Sequence, residues 1–522
     1  MNSAIGAGVA ETLDRDGAFS RLDDDQRAQL RKLGRLRTVE PGEVLFAAGD
    51  AGSDFFVIES GTVAVVQGLG QEDRVIAVHG RHRFLGELGL LTGQRLYCSG
   101  VVRDAGQVIQ VPVERLREIV AEDKTLSDLI LGAFIARRSI LIDIGTGIKL
   151  IGSRFSPDSR RLREFLARNR MPHQWIDLEQ DEEADALLSS LGIEPDQTPV
   201  VIASGGEILR NPSNVELGRA IGLGSSGSPP PLSDVVVVGA GPAGLAAALY
   251  AASEGLDVQG VEVAASGGQA GTSARIENYL GFPAGISGSE LAQRAEVQAA
   301  KFGARLDVPA AAVGLRSTPG RHEIKLSNGD VATGRTVVIA TGLSKGTLGL
   351  PEESEYDGRG LSHCASCDGP LYAGRPVVVA GTEGWAPHEA AELQVVAGDV
   401  TVIGKATTSL PDGVHHLDGR IVALEGSDGL QSVVVESGGT RKTIPASAVF
   451  VYVGQSPAAE FLAETLARDA TGHIVVDEGG RTSAATAFAV GDVRAGARHY
   501  LADAIADGQR AGQAIVTALK KN

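Results

Sequence analysis

The sequence predicts a multidomain protein: an N-terminal β-roll with flanking helices, a small α/β domain, and two α/β domains built on parallel sheets, the first of them discontinuous along the chain. Three observations carry this. Short apolar strands separated by Gly-containing turns alternate between about 36 and 115. Buried-strand, glycine-turn and helix patterns begin at "VVVVGAGPAGLAAALYAA", 235 to 252, and again at "PVVVA", 376 to 380. The stretch "GLGSSGSPPP", 222 to 231, joins a flexible Gly/Ser piece to a stiff proline run and divides the chain. A length of 522 residues leaves room for several domains of about 100–200 residues.

Composition narrows the function. Asp and Glu (65) outnumber Lys and Arg (48), for a net charge of −17. That argues against a nucleic-acid partner, which calls for a basic face, and suits solubility. Three cysteines cannot build a disulfide scaffold, and the odd number fits a reducing compartment. The start, "MNSAIGAGVAETLDRDG", has neither a basic run nor an apolar core, so no signal peptide is expected. The most apolar stretch, 235 to 252, is interrupted by three glycines and a proline, which suits a buried strand, turn and helix better than a membrane span. A cytoplasmic protein with no membrane partner is expected.

In residues 1–146, "DDDQRAQLRKLGRL" precedes the strands and "ERLREIVAEDKTLSDLILGAFIARRSILI" follows them, both with helical periodicity. The phrases "PGEVLFAAGDAGSDFFVIESGTVAVV" and "FLGELGLLTG" resemble the cyclic-nucleotide-binding domain over about 20 to 145. That resemblance implies a cyclic nucleotide as candidate ligand. Gly86 would lead a short helix whose N–H groups meet the phosphate, Glu87 would take the ribose hydroxyl, and Arg95 would hold the phosphate. The sequence departs from the family here: Arg95 comes early and "LYCS" replaces the usual small residues. The alternative is a degenerate domain kept for docking or dimerisation.

Residues 147–221 read as strand, helix, strand, helix, strand: "IKLIGS", "SRRLREFLARNR", "HQWIDLE", "DEEADALLSSLG", "TPVVIAS". This order, with Thr198-Pro199 opening the third strand, resembles a thioredoxin or glutaredoxin fold, in which that proline is cis. Where the family carries Cys-x-x-Cys, this chain has "SPDS", Ser156 to Ser159. Serine supplies no thiolate, so the domain is expected to be redox-silent and to position something else. Residues 222–232 form the linker.

From residue 233 the chain turns through Gly239-x-Gly241-x-x-Gly244 between a strand and a helix, and Glu262 ends the next strand 23 residues after Gly239. In that setting the glycines form a dinucleotide fingerprint, with the pyrophosphate at the helix N-terminus and Glu262 on the ribose. "VVIATG", ending at Thr341-Gly342, and "TAFAVGDV", ending at Gly491-Asp492, complete a resemblance to the two-dinucleotide flavoproteins. The segments "SGGQAGTSARIENYLGFP" and "CASCDGP" narrow it to the thioredoxin reductase branch, over 233 to about 518. The resemblance implies FAD as cofactor, with Gly268, Gln269 and Asn278 on the flavin-contacting segment and Asp492 at the ribityl-phosphate region. It implies an FAD domain in two parts, 233–350 and 471–522, around a second nucleotide domain at 351–470. A homodimer acting on a thioredoxin-like protein or a small dithiol/disulfide also follows from it.

"HCASCDGP", 363 to 370, holds two of the three cysteines. A zinc site needs about four ligands, and the only other cysteine, Cys98, lies in the N-terminal domain, so no metal is expected. A dithiol exchanging electrons with a flavin is the simplest reading. By the family pattern Cys367 faces the flavin, Cys364 attacks the substrate disulfide, and Asp368 moves the proton of the leaving thiol.

The second nucleotide domain departs from the family. After "PVVVA" comes "GTEGWAPHEAAEL": Gly381 holds the first glycine position, Glu383 the second and Ala386 the third. A carboxylate where the pyrophosphate approaches bare backbone costs ~1 to 4 kcal/mol at about 4 Å. Trp385 adds bulk, Pro387 removes an N–H, and "DVTVIGKATTS" offers only Lys405 for a 2′-phosphate. The expectation is a retained fold with an eroded NADPH site. Three functions stay open: an NADPH-dependent disulfide reductase with an atypical nucleotide site, a dithiol/disulfide oxidoreductase paired with O₂, a ferredoxin or another partner, and a flavin sensor without turnover.

Overall fold

The alternating segments of the N-terminal region pair into a six-stranded antiparallel sheet in the computed structural model. Its path runs Arg35–Val39, Ser99–Val111, Phe55–Gln67, Arg74–His79, with Val44–Phe46 added to Ser99–Val111 and Phe84–Leu85 to Phe55–Gln67. The structure describes residues 9–520 apart from 69–73, 182–183, 195–196, 224–231, 274–275, 277–278, 345, 357–358, 363–364, 366–368, 383–385, 406–409, 428, 454–455, 463–464 and 499.

The helices around this sheet form where the sequence supplies caps. Asp23 and Gln26 make a reciprocal capping box at the start of Asp24–Leu33. Asp123 accepts the Leu126 N–H at the start of the long helix Lys124–Asp143, which follows Val113–Glu122. The core beneath them is aromatic: Phe55, Phe84 and Phe134 are fully buried, with centroids 5.5 to 6.3 Å apart.

A second, four-stranded sheet has the order Ile208–Arg210, Val200–Ile202, Ile148–Gly152, His173–Asp177. Ile148–Gly152 runs parallel to His173–Asp177 and antiparallel to Val200–Ile202. Helices Ala184–Ser190 and Asn214–Ile221 accompany it, Pro157–Arg168 follows its first strand in sequence, and the Thr198–Pro199 peptide is cis.

Two α/β layers follow. In the first, Val258–Val261, Ser233–Val238, Val331–Ile339 and Ala487–Ala489 are consecutive parallel neighbours. The same strand Val331–Ile339 continues through Arg321–Leu326 into Ala312–Thr318 as an antiparallel ribbon. Ala487–Ala489 returns from the far end of the chain, so this sheet is discontinuous in sequence as expected. In the second layer, Leu361–Ser362, Ala448–Val451, Pro376–Ala380, Asp399–Ile403 and His415–Leu417 form a wholly parallel sheet. A three-stranded antiparallel sheet, Arg420–Glu425, Ser432–Ser437 and Thr440–Pro445, lies beside it in sequence. Near-continuous valine runs in the central strands suit burial on both faces.

Contacts divide the chain into two compact units. One comprises Met1–Gly152, Phe165–Pro231 and Glu296–Ala310; the other comprises Ser153–Glu164, Leu232–Ala295 and Ala311–Asn522. Glu296–Ala310 lies in the C-terminal half of the sequence yet joins the N-terminal unit, where Val297 enters the core with Phe55, Leu126 and Phe134. Lys301 donates a 2.8 Å bond to Ser127 there. No helix among the described residues is long and apolar enough to cross a membrane.

Candidate active site

Strand Ser233–Val238 ends at Gly239, whose φ of +101° lies in the region open mainly to glycine. A Cβ there would stand 2.4 Å from the Ala340 carbonyl oxygen. Gly241 caps helix Pro242–Ser253, with Pro242 preset for the first helical turn. A Cβ on Gly244 would fall 1.9 Å from the Gly239 oxygen, so this glycine brings helix and turn together. Gly241 is different: the nearest atom to a Cβ there is the Gly268 Cα at 3.9 Å, leaving open backbone at the helix N-terminus. That is the cradle a pyrophosphate requires.

Other segments close round it. The Gly267 N–H donates to the Ala240 carbonyl at 2.7 Å, and Gly268, at φ +55°, rests against Gly241. Gln269 Nε2 reaches the Leu343 carbonyl at 3.5 Å. Glu262 is 7% exposed. Its carboxylate accepts the Ala240 N–H at 2.8 Å and the Ala264 N–H at 3.0 Å, which fixes it beside the glycine turn. Thr341 Oγ1 donates to the Ala458 carbonyl at 2.6 Å, and Gly342, with φ +64°, accepts the Ala458 N–H. Gly491 packs against Ala243, and Asp492 follows it in the short turn Gly491–Val493. Asn278 lies outside the described residues. Gly239, Gly241, Gly244, Glu262, Gly268 and Gly491 thus converge on one helix start.

Sequence reasoning missed the support beneath this cradle. Asp507, 5% exposed, accepts the Gly491 N–H at 3.2 Å and pairs with Arg494 at 2.5 Å and with Arg510. It sits on helix Leu501–Lys520, which lies against Pro242–Ser253 through Gly508 and Gly512. A Cβ on Gly508 would come within 2.1 Å of the Ala243 oxygen. The Gly-x-x-x-Gly spacing at 508 and 512 was the available signal.

Cys364, Cys367, Asp368 and the neighbouring His363 lie outside the described residues. Ala365, between the cysteines, is described and buried in the core of the second parallel sheet with Tyr372, Leu393 and Phe450. Its N–H donates to Glu389 at 3.1 Å, and Tyr452 Oη donates to the same carboxyl oxygen at 2.7 Å. Burial raises the Glu389 pKa above the ordinary carboxyl value, against the pull of these two donors. Neither residue was foreseen: Glu389 is 24 positions from Ala365 and sits on Ala386–Val396, the helix after the second fingerprint.

At that fingerprint Gly381 has φ +124°. Thr382 Oγ1 donates to the Lys405 carbonyl at 2.5 Å. Glu383 and Trp385 lie outside the described residues. Cys98, 6% exposed, has its thiol pKa pushed up to about 12 by burial, which keeps it protonated and unreactive.

In the N-terminal sheet the three nucleotide candidates are engaged with the protein itself. Gly86 has φ +137° and gives its carbonyl to Arg137 at 2.7 Å. Glu87 pairs with Arg138 at 2.7 Å and accepts the Gly89 N–H at 2.7 Å. Arg95 donates to the Gly49 carbonyl at 2.8 Å.

A discontinuous parallel-sheet domain with a glycine cradle, followed by a second parallel-sheet domain, defines a two-dinucleotide flavoprotein. The chain belongs to the pyridine nucleotide-disulphide oxidoreductase family, whose profile matches residues 233–519. The cyclic nucleotide-binding domain profile matches residues 36–123. Thioredoxin reductase of Treponema pallidum is 35% identical over 302 residues, covering 54% of this chain and 96% of that protein. That of Listeria monocytogenes is 32% identical over 299 residues, covering 54% and 92%. Crystal structures agree: thioredoxin reductase of T. acidophilum (32% identity, 55% of this chain, 99% of that one, TM-score 0.52) and of Lactococcus lactis in its FR conformation (28%, 56%, 100%, 0.53). The enzyme is an FAD-dependent disulfide oxidoreductase of the thioredoxin reductase type, and the open backbone at Gly241 and the turn at Glu262 fit that cofactor.

Proposed function

We propose that the chain transfers electrons between FAD and a disulfide substrate through Cys364 and Cys367, with a thioredoxin-like protein or a small disulfide as partner. The observation that carries this is the seating of Ala365, which lies between the two cysteines in sequence: it is buried and its N–H donates to Glu389. An anchored residue within the motif suits a dithiol that takes part in a repeated exchange reaction.

The chemistry follows from the dithiol. The Cys364 thiolate attacks one sulfur of the substrate disulfide, and the leaving thiolate takes a proton from Asp368. Cys367 then attacks the Cys364 sulfur. The second substrate thiol leaves, and the Cys364–Cys367 disulfide carries the two-electron oxidation. FAD, when bound, supplies the reducing equivalents that reopen that disulfide. Gly239, Gly241, Gly244, Glu262, Thr341, Gly342, Gly491 and Asp492 hold the cofactor, with Gly268, Gln269 and Asn278 along the flavin segment.

The electron donor is the departure from the family. Glu383 stands at the position where a nicotinamide dinucleotide needs bare backbone, so we read NADPH as a poor donor. The four-stranded sheet of residues 148–210 supports a thioredoxin-like domain. In it, Ser156 and Ser159 replace the cysteines, and Ser156 Oγ accepts the Ser159 N–H at 3.3 Å. Such a domain is silent in exchange and serves docking or regulation, in a chain that works as a homodimer in the cytoplasm.

Anaerobic dithionite titration tests this function. About four electrons per FAD are expected in the wild type, two for the flavin and two for the disulfide, against about two in a Cys364→Ser/Cys367→Ser variant. Equal uptake by both proteins would contradict it.

A further inference from the structure

Residues of the N-terminal sheet and its flanking helices line a partly open, largely apolar cavity. Gly86 and Glu87 line it, so it stands where the cyclic-nucleotide resemblance puts the ligand. Its chemistry does not suit a phosphate. The cationic side chains near it are largely engaged with the protein itself. Arg137 gives its donors to the carbonyls of Ala18 (2.7 Å), Gly86 (2.7 Å) and Phe84 (3.1 Å). Arg138 is 1% exposed and bonds Glu87 and Gln94, at 2.7 and 2.9 Å. Arg95 holds Gly49. The Gly89 N–H, at the start of the short helix Gly89–Thr92, is taken by Glu87's own carboxylate. A phosphate entering here would have to displace Glu87 and break its ion pair with the buried Arg138.

What remains is apolar. Phe19, Phe46, Ala77, Leu90, Ile140 and Leu141 form much of the wall. His79 also lines the cavity; it is 2% exposed, and its Nδ1 has no hydrogen-bond partner. A buried polar atom without a partner costs free energy, and a ligand that bonds the imidazole removes that cost.

We propose that this cavity binds an uncharged, largely apolar small molecule whose single hydrogen-bonding group engages His79, and that it does not bind cyclic nucleotides. The cyclic-nucleotide scaffold is kept and its site is converted: Glu87 occupies the place of the anion, Arg138 neutralises Glu87, and the imidazole is the one recognition group. Burial and the nearby Arg137 and Arg83 lower the His79 pKa well below its ordinary value, so the ring is neutral and suits an uncharged partner.

The test uses calorimetry on the full FAD-loaded protein with three probes: 1-naphthol, naphthalene, which lacks only the hydroxyl, and cyclic AMP. The expected result is one 1-naphthol site per chain, with naphthalene about 5- to 10-fold weaker, the size of one hydrogen bond. His79→Leu should abolish that difference, and Ile140→Trp should remove naphthol binding by filling the cavity. An upward shift of wild-type melting with 1-naphthol supplies a readout that needs no variant. Saturable binding of cyclic AMP in competition with naphthol would overturn the proposal. So would naphthol binding unchanged by Ile140→Trp in a folded, flavin-containing protein, or no naphthol binding and no thermal shift in the wild type.

Discussion

Glu389 and Glu383 lie six positions apart in the second nucleotide domain. Glu389 is 4% exposed and accepts the N–H of Ala365, the residue after Cys364 in sequence. Its folded-state pKa is raised, so the buried site favours the protonated carboxyl. That contribution is complete below the unfolded value near 4.5 and is lost as pH rises through the higher folded value. His388 and Glu392 act on the same carboxyl from its own helix, and Tyr452 and Ala365 from the facing elements. Glu389→Gln keeps an acceptor but cannot ionise. Its stability relative to the wild type should therefore improve steadily as pH rises from below about 4.5; urea unfolding across pH measures this, and parallel curves would contradict it. In the proposed reading, Glu383 opposes the nucleotide through charge and bulk at the second glycine position of the fingerprint. Glu383→Gly should raise the rate of flavin reduction by NADPH about 5-fold or more, since one relieved repulsion costs ~1 to 4 kcal/mol. Trp385 and Pro387 should hold it below an ordinary reductase. Stopped-flow comparison of the two proteins decides, and an unchanged rate would place the block elsewhere.

At the scale of elements, the FAD cradle depends on two helices that touch through glycine. Pro242–Ser253 and Leu501–Lys520 approach so closely at Gly508 that a Cβ would meet the Ala243 oxygen at 2.1 Å. Gly508→Ala should therefore cost about 1–3 kcal/mol and lower the FAD content of the purified protein, because the displaced helix also carries Asp507, the acceptor for the Gly491 N–H. Absorbance of the purified variant and its melting curve measure both effects. The fingerprint itself was legible in the sequence because its physics is local. Gly239 needs a positive φ, Gly244 has no room for a side chain, and strand and helix declare themselves by their period. The supporting contacts were not legible. Asp507 meets Gly491 across 16 residues, Ala365 meets Glu389 across 24, and Glu87 meets Arg138 across 51. No periodicity specifies which buried charge finds which partner. For that reason the sequence pointed to Arg95 as the anion holder, while the structure commits Arg95 to Gly49 and gives Glu87 to Arg138.

At the scale of the whole molecule, the linker at 222–231 suggests a clean division that the contacts only partly follow. Residues 296–310 come from the flavoprotein half and belong to the N-terminal unit. A fragment starting at Ser233 keeps every described cradle residue and should bind FAD. It should also melt at lower temperature than the full chain, because Val297 loses the core it fills with Phe55 and Phe134. Val297→Ser should destabilise the full chain by about 1–3 kcal/mol and leave the fragment nearly unchanged. A fragment purified without flavin would contradict this division.

The central claim is that Cys364 and Cys367 form the route by which electrons reach or leave the flavin, and that NADPH is not the favoured donor. Anaerobic stopped-flow, following flavin absorbance in the wild type and in Cys367→Ser, tests it most directly. The wild type should be reduced rapidly by dithiothreitol and slowly by NADPH or NADH, and Cys367→Ser should lose the dithiothreitol reaction. Rapid reduction of the wild type by micromolar NADPH, or undiminished dithiothreitol reduction of Cys367→Ser, would contradict the account.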